Sequence, residues 1–273
     1  MSGGSRGMGK QEAIREFLLA FADDEHLMGQ QHTEWIGVAP FLEEDLAFSS
    51  IGQDELGHAV MLYELVLELD GIEPTDTAVD TLAFGRASHD YRCCHLVEHE
   101  TKDWAEALVR HWVYDAFEAM RWHLVAGSSM PKLAAIARKA LREEVFHTRH
   151  ADALLDRLLA APEARSRLLA ALDAVVPMVP GLCEGTAGEA VAVAEGAAAG
   201  PTAGLLEPLL VAIDQRFSAA GLDGRSAGSA GVGGPSAGGA ANGQRGRTSR
   251  SPDFEPLMAR MREVLDYDSE AVW

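Results

Sequence analysis

Apolar residues recur every three or four positions over four long stretches of the chain, which is the pattern of helices with one buried face. The pattern predicts helices over about residues 10–32, 41–69, 103–126 and 131–160. Gly71 is placed to end the second helix, and Pro131 suits the first turn of the fourth. A crossover of about thirty residues joins the two helix pairs, which favours a four-helix bundle with one long connection.

The rest of the chain predicts accessory structure. After Pro162, the segments RSRLLAALDAVV and AGLLEPLLVAIDQRFSAAG have helical periodicity and predict additional helices beside the bundle. Gly, Ala and Ser dominate the following residues, a composition that predicts a flexible linker. In FEPLMARMREVL, the apolar residues again share one face, so a last helix is expected to dock back. The predicted parts are a helical domain over 1–222, with accessory helices after 162, a linker over 223–252 and a C-terminal helix within 253–273.

Two of the predicted core-facing stripes are interrupted by the same polar pair. In the second helix, Glu55 and His58 lie on the stripe of leucines and aromatic residues that should face the interior. In the fourth helix, Glu144 and His147 occupy the equivalent place. Burying a carboxylate without a partner is unfavourable, so two such pairs require compensating ligands or hydrogen bonds.

The other two helices each contribute one carboxylate on the same kind of stripe, Glu25 in the first and Asp115 in the third. Glu55 follows Glu25 by 30 positions and Glu144 follows Asp115 by 29, as expected for two similar hairpins. One carboxylate from each of two helices and a Glu-x-x-His pair from each of the others form the ligand set of ferritin-like dinuclear sites. The sequence therefore predicts an all-α, ferritin-like four-helix bundle with additional C-terminal helices. Its ligand types suit two iron ions, or manganese.

Other interpretations of these residues stay open. A single Glu-x-x-His pair is usually a surface pair at helical spacing, and two buried pairs could form a polar network without metal. Glu118, one turn after Asp115, is an alternative ligand or a group that supports the ligands. Asp23 and His26 have the same three-residue spacing, but Asp23 lies off the stripe and is expected to face solvent.

Composition narrows the classes of function. The 273 residues are 47% hydrophobic, enough for a substantial core, and 42 acidic against 23 basic residues give a formal charge of −19. This charge disfavours nucleic acids and anionic membranes as partners. Three cysteines without a CxxC pair indicate a reducing compartment. Because neither a signal peptide nor a membrane-spanning stretch is evident, a cytoplasmic location is expected.

Three segments together carry a family resemblance: FLEEDLAFSSIGQDELGHAVMLYEL, LVRHWVYDAFEAM and AAIARKALREEVFHTRHADALLDRL. They resemble the phenylacetyl-CoA 1,2-epoxidase family of ring-oxygenase subunits, and within it the PaaC-like members. The ending GQRGRTSRSPDFEPLMARMREVLDYDSEAVW is similar to the end of those members. The resemblance implies a diiron monooxygenase component that acts on an aromatic acyl-CoA. It also implies a heteromer with a homologous ferritin-like subunit, and electrons from a flavin and iron-sulfur reductase.

The family pattern also implies which residues bind metal and catalyse. It falls on Glu25, Glu55, His58, Asp115, Glu144 and His147, and none is replaced by a residue that cannot bind metal. In the family, a PaaA-type chain holds the catalytic diiron site and the PaaC-type chain has a mainly structural role. The alternative is therefore a noncatalytic partner that stabilises a catalytic diiron paralogue. Both interpretations imply a heteromer, so a hetero-oligomer is expected, and a homodimer is the alternative assembly.

Overall fold

The computed structural model describes residues 8–218 and 247–267, which form helices and turns and no β-strand. The first six helices include the four long ones and two short ones in the crossover: α1 (Lys10–Thr33), α2 (Leu42–Leu69), α3 (Asp76–Phe84), α4 (His95–Glu98), α5 (Trp104–Val125) and α6 (Pro131–Leu159). The prediction of an all-α fold is confirmed. Among the described helices, none combines the length and the apolar character that crossing a lipid bilayer requires.

Local sequence explains where the long helices begin and end. Gly71 takes a positive φ of 71° directly after the end of α2, a conformation that glycine adopts without strain. The Asp103 carboxylate accepts the backbone N–H of Glu106 at 3.0 Å and caps α5. Pro131 opens α6, where no intrahelical N–H is required. The α1–α2 and α5–α6 hairpins then pack together, with α2 against α6.

The remaining described helices surround this bundle: α7 (Pro162–Val175), α8 (Val179–Leu182), α9 (Glu189–Ala194), α10 (Leu206–Ser218) and α11 (Phe254–Tyr267). Helix α7 packs against α5, and α9 packs against α1. Phe254 and Leu257 of α11 are buried. Most of the predicted linker, residues 223–246, lies outside the described residues. The division of the chain into domains stays a prediction.

The buried apolar side chains form two separate groups. On α1, residues up to Ala22 belong to one group and residues from Leu27 onward to the other. Helix α5 changes group between Phe117 and Trp122, and α6 changes between Ala140 and Ala151. The intervals between the groups contain acidic and histidine side chains on α1 and α6 and an acidic side chain on α5. The bundle therefore has a polar layer between two apolar layers, and this layer holds the candidate site.

Two glycines let α1 and α2 approach closely beside that layer. A Cβ atom on Gly52 would lie 3.0 Å from the carbonyl oxygen of Gly29 and 3.2 Å from Cγ2 of Thr33. A Cβ atom on Gly29 would lie 2.9 Å from Cγ of Leu56. The helix backbones thus meet at distances that only glycine permits.

We expect Gly52→Ala to lower the free energy of unfolding by about 1–3 kcal/mol, because the added methyl group forces the helices apart. Gly57 is the matched control, since it lies on the same helix with nothing within 4 Å of its Cβ position. Gly57→Ala is expected to raise the stability by about 0.5–1 kcal/mol through helix propensity. Urea unfolding followed by circular dichroism measures both, and a Gly52→Ala protein as stable as wild type contradicts the close approach.

The expectation that Asp23 faces solvent is wrong. Its side chain is fully buried, and it accepts hydrogen bonds from the Tyr63 hydroxyl at 2.7 Å and the Arg92 backbone N–H at 2.6 Å. The Arg86 guanidinium pairs with it as well. Burial alone would raise the pKa of Asp23, but Arg86 and these hydrogen bonds lower it. The physical reason is that the crossover covers a second face of α1. The sequence pattern of a helix with one apolar face does not indicate that the opposite face is also covered.

Candidate metal centre

All six side chains predicted to bind metal are buried inside the bundle, in or next to the polar layer. Their exposed fractions are 0% for Glu25, 1% for Glu55, 0% for His58, 1% for Asp115, 3% for Glu144 and 0% for His147. Each lies on the core-facing stripe of its long helix, as the spacing predicts. Five of the six belong to two separate groups. Within each group, the ligand atoms lie close enough to bind the same ion.

The first group consists of Asp115, Glu144 and His147. One ligand atom from each lies within 4.8 Å of the others. Both carboxylate oxygens of Asp115, both of Glu144 and Nδ1 of His147 lack a hydrogen-bond partner. Nδ1 of His147 approaches Oε1 of Glu144 to 3.3 Å, but without hydrogen-bond geometry. Buried polar atoms are normally paired, so this set of unpaired oxygen and nitrogen donors fits a metal ion.

Neighbouring residues orient this group. Nε2 of His147 lies 3.3 Å from the half-buried Asp54 carboxylate, which directs Nδ1 toward Glu144. A carboxylate on the outer nitrogen of a histidine is the usual support of a metal ligand. His111 lies beside Asp115, with 3.1 Å between Nδ1 and Oδ1, and both of its ring nitrogens lack a hydrogen-bond partner. His111 is therefore a further nitrogen donor that sequence reasoning did not assign to the site.

The second group consists of Glu25, His58 and Glu118, again with one ligand atom from each within 4.8 Å of the others. Nδ1 of His58 lies 3.1 Å from Oε2 of Glu25, and its Nε2 lies 2.8 Å from Oε2 of Glu143. Both nitrogens of this histidine are therefore engaged with carboxylates. The structure thus assigns Glu118 and Asp115, which the sequence treated as alternatives, to different groups.

A buried arginine reaches into the second group. Nη2 of Arg121 donates to Oε1 of Glu25 at 3.2 Å and to the Glu118 carboxylate, and its Nη1 donates to Asp24 at 2.8 Å. The guanidinium carbon lies 3.8 Å from the centre of the Phe21 ring. The second group therefore contains a protein cation between its carboxylates, and its donor atoms do not fit a metal ion as the first group's do.

Glu55 belongs to neither group. Its Oε2 lies 2.6 Å from Nδ1 of His32, and Nε2 of His32 has no partner. The assignment of Glu55 as a metal ligand stays a prediction. His32 lies seven positions after Glu25 on the same stripe of α1, and this spacing could have identified it from the sequence.

Burial favours the protonated forms of three glutamates in the layer, Glu25, Glu55 and Glu144. Burial raises the pKa of Glu25 to about 7, against the lowering effects of Glu118 and Arg121. Burial also raises the pKa of Glu144 to about 7 and that of Glu55 well above its usual range. Burial alone would lower the pKa of His147, but Asp54 and Glu144 raise it to about 10. Metal binding at the first group must therefore displace protons, which couples metal affinity to pH.

An open cavity of about 570 Å³ lies between α5 and α6, and Glu144 is one of the residues that line it. Asp152 and Asp156 add two carboxylates to its wall, and both pair with Arg216, Asp152 at 3.1 Å and Asp156 at 2.8 Å. His123 and Arg149 are basic side chains of the same wall. The cavity therefore has a mixed charge, without the excess of basic side chains that would favour the phosphates of a coenzyme A.

Comparisons with known proteins agree with the family resemblance of the sequence. A family model described as Phenylacetic acid catabolic protein matches residues 6–273, which include all four long helices. Among curated proteins, the C subunit of 1,2-phenylacetyl-CoA epoxidase from Escherichia coli (strain K12) is 34% identical over 145 residues. The aligned part is 53% of this chain and 57% of that relative, so the chain spans little more than half the relative's length.

Proposed function

This chain belongs to the phenylacetic acid catabolic protein family, and from that premise we propose that it is a subunit of an epoxidase-type monooxygenase complex in phenylacetate catabolism. The substrate of the complex is an aromatic acyl-CoA, the class to which phenylacetyl-CoA belongs. The observation that supports a role beyond packing is the unpaired Asp115–Glu144–His147 group inside the bundle. If this layer served only stability, apolar side chains at the same positions would make the fold more stable.

In this proposal, the residues of the first group hold the metal and prepare its surroundings. Asp115 and Glu144 provide carboxylate oxygens, and His147 provides Nδ1 while Asp54 fixes its ring. Iron bound there would supply the redox chemistry that activates dioxygen. The two apolar layers on either side keep bulk water from the buried donors.

The chain requires partners for the electrons and for the substrate. An iron-sulfur cluster is held by four cysteines, and the sequence has three, of which none form a disulfide. Electrons therefore come from a separate flavin and iron-sulfur reductase, in the proposed assembly. A homologous ferritin-like subunit supplies the acyl-CoA site, because the cavity beside Glu144 has no excess of basic side chains for the phosphates of a coenzyme A. Exposed Phe41, Leu42 and Leu46 at the start of α2 offer apolar surface for such a subunit.

A second candidate function is favoured by a different observation. Arg121 occupies the group formed by Glu25, His58 and Glu118, and a diiron centre needs ligands for two ions. This supports a noncatalytic subunit that stabilises a catalytic diiron paralogue. Both candidates predict a hetero-oligomer, and they differ in whether the first group is needed for the reaction.

Deletion of the gene in the source organism tests the shared part of the proposal. We expect loss of growth on phenylacetate as sole carbon source, unchanged growth on succinate, and recovery when the wild-type gene is returned. Growth of the deletion strain on phenylacetate at the wild-type rate contradicts the proposed function.

The same strain separates the two candidate roles. Returned as Glu144→Gln, the gene fails to restore growth if the metal group serves the reaction, and it restores growth if the chain only stabilises a paralogue. Immunoblotting and co-purification of the partner subunits establish that the variant is present and assembled. Glu44→Gln is the matched control, because Glu44 is also a buried carboxylate beside a histidine, His150, at 2.9 Å.

A further inference from the structure

The two groups of the polar layer differ in how their negative charge is balanced. In the second group, the Arg121 guanidinium contacts Glu25 and Glu118, and Trp122 donates its indole N–H to Glu118 at 3.2 Å. In the first group, the oxygens of Asp115 and Glu144 have no donor. The second group therefore contains a guanidinium that stays charged, and the first group has donor oxygens without a partner.

The position of Arg121 is fixed on several sides. Its Nη1 donates to Asp24 at 2.8 Å, and the guanidinium of Arg247 donates to the same carboxylate oxygen at 2.7 Å. The rings of Phe21 and Phe117 lie 3.8 Å and 4.9 Å from the guanidinium carbon. A guanidinium held by three carboxylates and two aromatic rings cannot leave without exposing buried charges. It is a permanent part of the layer.

The histidine of the second group, His58, also has partners on both of its ring nitrogens. Nδ1 of His58 lies 3.1 Å from Glu25 and Nε2 lies 2.8 Å from Glu143, which Lys139 also contacts at 2.7 Å. An incoming metal ion would have to displace a carboxylate from His58 and approach a fixed guanidinium. Repulsion between two cations in a site of low dielectric opposes this.

From these contacts we propose that the Arg121 guanidinium takes the place of one of the two metal ions, and that the chain binds a single divalent cation at Asp115, Glu144 and His147. The dinuclear site predicted from the sequence is thus a site with one metal and one protein cation. The occupancy concerns the isolated chain and does not depend on its part in phenylacetate catabolism.

Metal stoichiometry tests this inference, with Mn²⁺ as the probe. Protein stripped with a chelator is dialysed against Mn²⁺, and bound metal is measured by plasma mass spectrometry and electron paramagnetic resonance. We expect one Mn²⁺ per chain with the six-line signal of an isolated ion, and none in Glu144→Gln. Two ions, an exchange-coupled signal, no bound ion, or an ion retained by Glu144→Gln would each overturn the inference.

Substitutions in the second group test whether Arg121 is what keeps the second metal ion out. Arg121→Met removes the cation and is expected to bind two Mn²⁺ per chain, whereas Arg121→Lys keeps a charge and is expected to bind one. If Arg121→Met fails to fold, Glu25→Gln replaces it, because a ligand of the second group is dispensable for a metal held by the first. Loss of the bound Mn²⁺ in Glu25→Gln, or one ion in folded Arg121→Met, counts against the inference.

The outcomes also separate this inference from the proposed function. A chain that binds one Mn²⁺ and is dispensable for growth on phenylacetate upholds the inference and overturns the function. A chain that is required for growth and binds no metal does the reverse.

Discussion

Replacing Arg121 by methionine is expected to lower the free energy of unfolding by about 3–5 kcal/mol at pH 7.5, measured by urea denaturation. The substitution keeps much of the side-chain volume but removes the cation that Asp24, Glu25 and Glu118 share. All three carboxylates are buried, so none regains solvent when its partner is lost. Adding a metal ion is expected to restore part of the loss, because the vacated group then binds a cation.

Arg260 provides the matched control for this substitution. Its guanidinium donates to Glu34 at 3.0 Å, but the side chains are 39% and 31% exposed. Arg260→Met is therefore expected to change the free energy of unfolding by about 0–1 kcal/mol. The loss of unfolding free energy in Arg121→Lys is expected to lie between these two values. A lysine keeps the charge, but its single nitrogen cannot replace the separate guanidinium nitrogens that donate to Asp24 and Glu118. If Arg121→Met were no less stable than Arg260→Met, the buried arginine would not be balancing the layer.

The long helices could be predicted closely from the sequence. The predicted range of about 103–126 corresponds to Trp104–Val125, and about 131–160 corresponds to Pro131–Leu159. Periodicity, a capping aspartate and a first-turn proline are local signals, so they define these helices without knowledge of their neighbours. The short helices of the crossover, such as Asp76–Phe84, were not predicted, because each is stabilised by the surface on which it packs.

The burial of the candidate site residues could be predicted from the sequence, and their pairing could not. The stripes correctly indicated that Glu55 and His147 are buried, because a stripe reports which face of a helix meets the core. They could not indicate that His32 would lie against Glu55, or that Arg121 would enter the layer. An arginine three positions after Glu118 has the spacing of an ordinary surface pair. Its burial depends on the packing of α1 against α5, which no local pattern contains.

The pH dependence of stability is expected to change in Glu144→Gln. In the metal-free folded protein, burial raises the pKa of Glu144 from 4.5 to about 7. Between these values the folded state binds more protons than the unfolded chain, so this group's contribution to stability falls as the pH rises. Glutamine resembles the protonated carboxyl group and does not titrate. The variant should therefore match wild type near pH 4.5 and exceed its stability by about 3 kcal/mol above pH 7.

Comparing the two proteins at each pH isolates this carboxylate together with its effect on His147, because the titrating groups that do not contact Glu144 act alike in both. His26 has the opposite effect, since burial lowers its pKa to about 4 and favours the folded state as the pH rises from 4 to 6.5. Urea unfolding in chelator from pH 4.5 to 8 measures the difference, with Glu44→Gln as the control. With saturating Mn²⁺ the order should reverse above pH 7, because wild type alone binds the ion. A difference that is constant with pH would show that Glu144 is ionised throughout, and that a cation already balances its charge in the metal-free layer.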